Sequence, residues 1–368
     1  MAISHFKDRI FISDLFCGGT MIYIRADMNE TIATGHIMRC MTIADAVQAA
    51  GENITFIVAD EKALPPLKSR NYNHHVLHSN WKNMDGELSA LLPYLQSHEA
   101  GALLVDSYQV SPHYLNTLRN RTKLAYIDDI NQFLYPADVL ICYAIYSQNN
   151  NYEERYSDTR LLLGSRFTPL RKVFSHCPPK RIHKKVENLL LLSGGTDNQE
   201  ALAKLLRVSM KYDLKKITVV CGRFYRNYDA LREQYEKTDK VEIRKSLDNI
   251  DLYMKNADLA LSAGGNTLYE LCACGTPTIS FSLADNQLGN VNEFNRQGII
   301  PYAGDARKAE LPDRADELLQ QLIASEGLRT QLSRKMQALV DGNGAKRLAL
   351  PLIELAHSAK TQRSSPLS

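Results

Sequence analysis

From Met21 onward, short apolar runs alternate with longer stretches in which apolar residues recur every three to four positions. The first series of predicted strands covers 21–27 (MIYIRAD), 54–60 (ITFIVAD), 74–78 (HHVLH), 102–107 (ALLVDS), 123–129 (KLAYIDD) and 138–143 (DVLICY). The spacing between them predicts helices, the first with Ile37, Met41, Ala44 and Val47 on one face. The pattern then restarts, with strands at 189–195, 216–222, 241–244, 259–265 and 277–283 and helical stretches between them. Strands that are apolar at nearly every position are buried on both faces, so alternation with helices predicts parallel sheets covered on both sides. Two such series predict two doubly wound, Rossmann-like α/β domains facing a central cleft, where the carboxyl ends of the strands meet.

The boundaries follow from breaks in this pattern. Residues 1–20 lack the unbroken apolar core of a secretory signal and are set aside as an extension or tag. The N-terminal domain is 21–172. Residues 173–188, with Pro178-Pro179 and a run of basic residues, read as an exposed linker. The C-terminal domain is 189–342, and 343–368 form a C-terminal helix with a disordered tail. The tyrosine- and asparagine-rich stretch 143–156 is either a solvated loop or a binding loop or lid.

Composition narrows the function. The 368 residues are 44% hydrophobic and 23% charged, with Lys+Arg 44 against Asp+Glu 41 and a net charge of +3. No basic stripe marks a nucleic-acid groove, and no apolar run approaches the ~18 residues of a membrane span. Cys17, Cys40, Cys142, Cys177, Cys221, Cys272 and Cys274 match no zinc or disulfide spacing, which suits reduced thiols in a cytoplasmic protein. A small-molecule site fits this balance best.

Candidate chemistry gathers where predicted strands run into helices. His36 directly follows Gly35 at the first βα turn, so its ring lies near the strand ends, where an imidazole can take a proton near neutral pH. Arg39, on the same helix face, can bind an anion or pair with Asp27. In the second series, Gly194 and Gly195 allow close backbone approach, and Thr196 or Asp197 can cap the next helix. Gly264, Gly265, Asn266 and Thr267 form a second Gly-Gly turn, a natural diphosphate cradle, with Glu270 one turn into the helix and within reach of a ribose diol. Asn286, Gln287 and Asn290 lie beyond the next strand end and suit sugar hydroxyls and acetamido groups. No Walker lysine motif and no G-x-G-x-x-G after a strand is present, which counts against ATP hydrolysis and dinucleotide redox chemistry.

The ordered set RAD…TGHIMRC, VDSY, IDD, LLLG…PLR, LSGGTD and SAGGNTLYE…GTP…ADNQ resembles the UDP-2,4-diacetamido-2,4,6-trideoxy-β-L-altropyranose hydrolases of pseudaminic acid biosynthesis. These belong to the glycosyltransferase-B (GT-B) superfamily, with the lipid II-forming GlcNAc transferase. The resemblance spans about 21–304. It implies a GT-B fold, a UDP-sugar substrate held by the C-terminal domain, no cofactor or metal, and inversion at the anomeric carbon. His36 matches the family's catalytic histidine, Glu270 its ribose-binding acid, and Gly265, Asn266 and Thr267 its phosphate-binding turn. Leu247, before Asp248-Asn249-Ile250, would hold uracil by backbone groups, and Asp27, Tyr108, Asn286, Gln287 and Asn290 would position sugar and water. Partners would be other enzymes of a sugar pathway. Ala33, Asn266, Cys142 and Tyr143 depart from the family pattern, which has Gly, Ser and polar residues there. The alternative on the same scaffold is an inverting UDP-sugar glycosyltransferase of cell-surface glycan synthesis.

Overall fold

The structure, a computed structural model, describes residues 21–247 and 249–363, with side chains to Ser358. The expectations for 1–20 (with Cys17) and for the tail beyond 363 lie outside the described residues, as does Asp248. The first run of elements is β1 (Met21–Ala26), α1 (Gly35–Ala49), β2 (Asn53–Val58), α2 (Leu64–Ser69), β3 (Asn73–Val76), α3 (Leu88–Ser97), β4 (Ala102–Asp106), α4 (Pro112–Arg119), β5 (Lys123–Ile127), β6 (Val139–Cys142), α5 (Tyr152–Arg155) and β7 (Arg160–Leu163). The strands form one sheet in the order β3-β2-β1-β4-β5-β6-β7, all parallel. Apolar residues on both faces of β1 and β4 are buried, and Ile37, Met41, Ala44 and Val47 of α1 are buried together with them.

The second run is β8 (Asn188–Leu192), α6 (Ala201–Ser209), β9 (Lys216–Cys221), α7 (Tyr228–Tyr235), β10 (Val241–Lys245), α8 (Ile250–Asn256), β11 (Leu259–Ala263), α9 (Thr267–Cys274), β12 (Thr278–Ser282), α10 (Leu288–Arg296), β13 (Tyr302–Asp305), α11 (Leu311–Ala324), α12 (Glu326–Leu339) and α13 (Gly344–Arg363). Its parallel sheet runs β10-β9-β8-β11-β12-β13. The molecule is therefore two doubly wound parallel-sheet domains. β7 and β13 were absent from the sequence reading. Both are four-residue edge strands, each buried at one position only, so neither writes the continuous apolar run of an interior strand.

Two segments depart from expectation. The linker is not simply exposed, because Phe174 and Val186 are buried. Lys180 Nζ donates to the carbonyl of Ala257 just past α8 (2.7 Å), and buried Arg329 of α12 donates to the carbonyls of His183 (2.6 Å) and Lys184 (3.0 Å) as well as to those ending α11. Helix α13 returns to the first sheet, burying Leu348, Leu352, Ile353 and Ala356 against β1, β4, β5 and α1. Among the described residues no helix is long and apolar enough to cross a membrane.

Candidate functional site

Strand β1 ends at Ala26, Asp27 follows it, and the chain turns through 28–34 before α1 begins at Gly35. Thr34 provides no side-chain cap, and the N–H groups of Gly35, His36 and Ile37 make no hydrogen bond among the described residues. His36 in the first turn of α1 is carried to the end of β4, where its Nδ1 lies 2.6 Å from Asp106 Oδ1. A carboxylate only accepts, so Nδ1 carries the proton and the lone pair of a neutral ring sits on Nε2. Nε2 has no hydrogen-bond partner among the described residues. The ring meets Tyr108 edge-on, centroids 4.5 Å apart.

Arg39, one turn further along α1, clamps the same carboxylate from the other side. Its Nε and Nη2 donate to Asp106 at 2.5 Å each, and its Nη1 donates to Asp129 Oδ2 and Tyr143 Oη at 2.6 Å each. Nη2 also lies 3.2 Å from His36 Nδ1, but its shorter bond to Asp106 marks where it donates. Burial alone would raise the Asp106 carboxyl; Arg39 and His36 outweigh it and hold the group well below the usual carboxylate range. Tyr108 Oη donates to Asp129 at 2.8 Å. Two carboxylates face one guanidinium, so the cluster keeps a net negative charge while His36 is neutral and is balanced when His36 takes a proton.

The expected pairing of Arg39 with Asp27 does not form. Asp27 belongs to a separate buried cluster, with Oδ2 2.6 Å from Arg25 Nη1 and Oδ1 accepting the Ala59 N–H at 2.7 Å. Arg25 is fully buried and forks onto Glu87 at 2.8 Å through both Nε and Nη2. Both oxygens of Asp27 are thus engaged.

The two glycine turns of the second domain differ. After β8, Asp197 accepts the N–H groups of Ala201 (3.0 Å) and Leu202 (2.9 Å), so the start of α6 is already closed by a carboxylate. Gly194 is exposed at this turn, Thr196 is half-buried, and Gly195 sits against Ala33 of the first domain. After β11 the turn is open. Asn266 gives no side-chain cap to α9, and the N–H groups of Gly265, Asn266 and Thr267 make no hydrogen bond among the described residues. Of these two helix starts, that of α6 is occupied by Asp197, whereas that of α9 can receive an anion without displacing a side chain. Glu270, half-buried in α9, accepts a loose hydrogen bond from Arg171 (3.4 Å); burial raises its carboxyl and Arg171 opposes this.

The stretch 143–156 is only partly solvated, with Gln148, Asn149, Asn151, Glu153 and Glu154 exposed, and it is not a free lid. Tyr143, Ile145 and Tyr152 are buried, Tyr152 Oη donates to Asp128, and Tyr146 Oη donates to the carbonyl of Asp129. Its first part wedges between the domains: Tyr143 Oη donates to Asn266 Oδ1 (3.1 Å), the Ile145 N–H donates to Tyr269 Oη (2.9 Å), and Asn149 Nδ2 donates to Glu293 (3.2 Å). The aromatic spacing that looked like a loop is a strip of anchors. Asn290 accepts from Tyr269 Oη at 2.8 Å, Gln287 accepts the Leu283 N–H at 2.9 Å, and Asn286 is exposed. Leu247 packs half-buried beside the core below α9.

Asp106, Asp129, Tyr143 and Arg171 join the site without having been singled out by sequence as site residues. Asp106, Asp129 and Tyr143 sit just inside or beyond a strand end, within VDSY, IDD and the end of DVLICY, and that position was the available signal; Arg171, in PLR, lies in the segment after β7 and had no such signal.

Residues 189–345 match the glycosyltransferase family 28 C-terminal domain. Over 70% of its length the chain is 23% identical to an uncharacterized protein, MJ1062, of Methanocaldococcus jannaschii, and it spans about half (54%) of that relative. It is 26% identical, over 72% of its length, to the spore coat polysaccharide biosynthesis protein SpsG of Bacillus subtilis (80% of that protein). It is also 26% identical, over 68% of its length, to the UDP-N-acetylglucosamine–N-acetylmuramyl-(pentapeptide) pyrophosphoryl-undecaprenol N-acetylglucosamine transferase of Helicobacter pylori strain G27 (73% of that protein). The crystal structure of Acinetobacter baumannii MurG superposes with a TM-score of 0.66 at 14% identity, covering 91% of this chain and 99% of that one. The chain thus has the two-domain GT-B fold, and its second domain is similar to the C-terminal domain of family 28 glycosyltransferases.

Proposed function

We propose that this protein is an inverting, glycosyltransferase-type enzyme that uses a UDP-linked sugar in the synthesis of a cell-surface glycan. The observation that carries the reading is the placement of His36, locked by Asp106 with Nε2 unpartnered, on the domain that faces the open Gly264–Thr267 turn. The diphosphate sits on the free amides of that turn, and Glu270 takes the ribose hydroxyls. An acceptor hydroxyl gives its proton to His36 Nε2 as its oxygen bonds to the anomeric carbon. The bond from that carbon to the β-phosphate oxygen breaks, UDP leaves with the electron pair, and the configuration inverts. The positive end of α9 stabilises the charge that develops on the leaving phosphate. The names of the Bacillus subtilis and Helicobacter pylori relatives, in polysaccharide and N-acetylglucosamine transfer chemistry, support the transferase over the hydrolase.

Hydrolysis remains the second reading because of the ordered motif resemblance, from TGHIMRC to ADNQ. The same base would activate water, and a UDP-diacetamido-trideoxyhexose would be the substrate.

The test is UDP release from UDP-GlcNAc and from UDP-diacetamido-trideoxyhexoses, each with and without glycan acceptors. Release that requires an acceptor supports transfer; stoichiometric UDP and free sugar without one supports hydrolysis. His36→Ala is expected to keep UDP affinity and to lose about 10²–10⁴-fold in turnover. Full turnover in that variant would remove His36 from the mechanism.

A further inference from the structure

Tyr143 stands where the two halves of the site meet, and its hydroxyl has only one way to be arranged. The residue is 2% exposed, and its Oη lies 2.6 Å from Arg39 Nη1 and 3.1 Å from Asn266 Oδ1. A guanidinium only donates, so Arg39 must give the hydrogen of its contact. The single proton of the phenol is then free for Asn266 alone, which fixes a direction: Arg39 donates to Tyr143, and Tyr143 donates to Asn266.

This direction also decides the Asn266 side-chain amide, whose oxygen and nitrogen are otherwise interchangeable in outline. With the nitrogen toward Tyr143, the phenol oxygen would accept from both sides and its proton would be left without an acceptor among the described residues. Oδ1 therefore faces Tyr143, and the donating Nδ2 faces away from it, without a hydrogen bond among the described residues. Asn266 is also the residue at the mouth of α9, beside the open amides of Gly265 and Thr267. Because Arg39 grips Asp106 as well, the same guanidinium that holds the carboxylate on His36 sets this orientation.

We propose that Tyr143 is a positioning residue that, relaying the fixed direction of Arg39, holds Asn266 with its amide nitrogen presented as a further donor to the diphosphate of the nucleotide. The role rests on the nucleotide-sugar reading above and adds to it a side-chain ligand and the group that aims it. Tyr143 itself touches no substrate. The Gly265–Thr267 amides supply donors that cannot turn away; Asn266 supplies one that can, and Tyr143 removes that freedom, so its entropic cost is met before ligand arrives.

The experiment is calorimetric titration of the full chain with UDP and, separately, with uridine, which lacks the diphosphate. Proteins are the wild type, Tyr143→Phe, Asn266→Ala, the double variant and Asn266→Asp, with thermal midpoints recorded for each. Tyr143→Phe is expected to weaken UDP about tenfold and to leave uridine unchanged. In the Asn266→Ala background Tyr143→Phe is expected to do nothing more. Asn266→Asp, which keeps the shape but replaces the donor with an acceptor, is expected to weaken UDP more than Asn266→Ala does. Equal loss of UDP and uridine in Tyr143→Phe, no loss at all, additivity with Asn266→Ala, or full UDP affinity in Asn266→Asp would each overturn the positioning role alone. A wild-type protein that binds UDP no better than uridine would overturn the nucleotide-sugar reading itself.

Discussion

Ala33 shows how one residue can carry backbone strain beside a site. It takes a left-handed conformation, φ +58°, in the turn that leads into His36. A Cβ in that region meets the following carbonyl and costs roughly 1–2 kcal/mol, whereas glycine adopts it freely. Glycine also enlarges the unfolded ensemble, which offsets part of the gain. Ala33→Gly is therefore expected to stabilise the fold by up to about 1 kcal/mol, read as a higher urea midpoint with an unchanged slope. A lower midpoint would mean that the alanine methyl contributes more packing than its conformation costs. The turn thus tolerates a residue other than glycine because Asn29 Oδ1 holds the Thr31 and Ile32 amides and restrains the loop from within.

At the scale of elements, α10 is tied to the interdomain wedge through Glu293. This buried carboxylate accepts from Arg296 at 2.6 and 2.8 Å, from Gln297 at 2.6 Å and from Asn149 at 3.2 Å. The Arg296 hydrogen bonds lead in lowering its pKa from 4.5 to about 2. A carboxyl with a depressed folded-state pKa contributes stability that is fully present above its unfolded value and is lost as pH falls through the folded one. Thermal midpoints of the wild type should therefore exceed those of Glu293→Gln above about pH 5, and the gap should narrow between about pH 4.5 and 2. A gap independent of pH would assign the effect of the substitution to packing. Arg329 works at the same scale but by a different device. Among the described residues it has no carboxylate hydrogen-bond partner; four carbonyl oxygens from the end of α11 and the linker surround it, which pins the linker to the second domain.

For the whole molecule, the two domains touch so closely that side chains are excluded at two glycines. A Cβ on Gly195 would lie 2.8 Å from Ala33 Cβ, and one on Gly289 would lie 2.9 Å from the Tyr146 ring. The first of these approaches sets the turn before His36 directly against the second domain, and displacements of about 1 Å between reacting groups can cost about 10²-fold in rate. Gly195→Val is expected to hold the domains apart, with turnover down about 10²-fold and UDP affinity reduced no more than in Tyr143→Phe, since the turn's amides lie wholly in the second domain and only the Tyr143 contact to Asn266 crosses to it. Small-angle scattering should show a larger radius of gyration. Undiminished turnover would mean that this closed arrangement is not the reacting one.

The architecture was legible in the sequence because burial on both faces of a parallel strand leaves a continuous apolar run, and a helix between strands leaves a period of 3.6. The same local rules located His36, Arg39 and the Gly264–Thr267 turn, all of which sit at strand-to-helix junctions. What lies between junctions needed the tertiary structure. Asp106 is 70 positions from His36 and Asn266 is 123 from Tyr143, and no local pattern pairs residues at such distances. Strand order decided it: β4 lies beside β1, so Asp106 rather than Asp27 receives Arg39, and β8 lies beside β11, so two similar glycine turns become neighbours with unlike roles. Asp197 caps the helix that follows one of them, and no side chain caps the helix after the other, a difference that rests on where a single carboxylate folds back. The edge strands, the return of α13 and the conversion of a tyrosine-rich loop into a wedge likewise depended on what each segment met in space. Local chemistry specified which groups stand at the strand ends, and the packing of the two sheets decided which of them face one another.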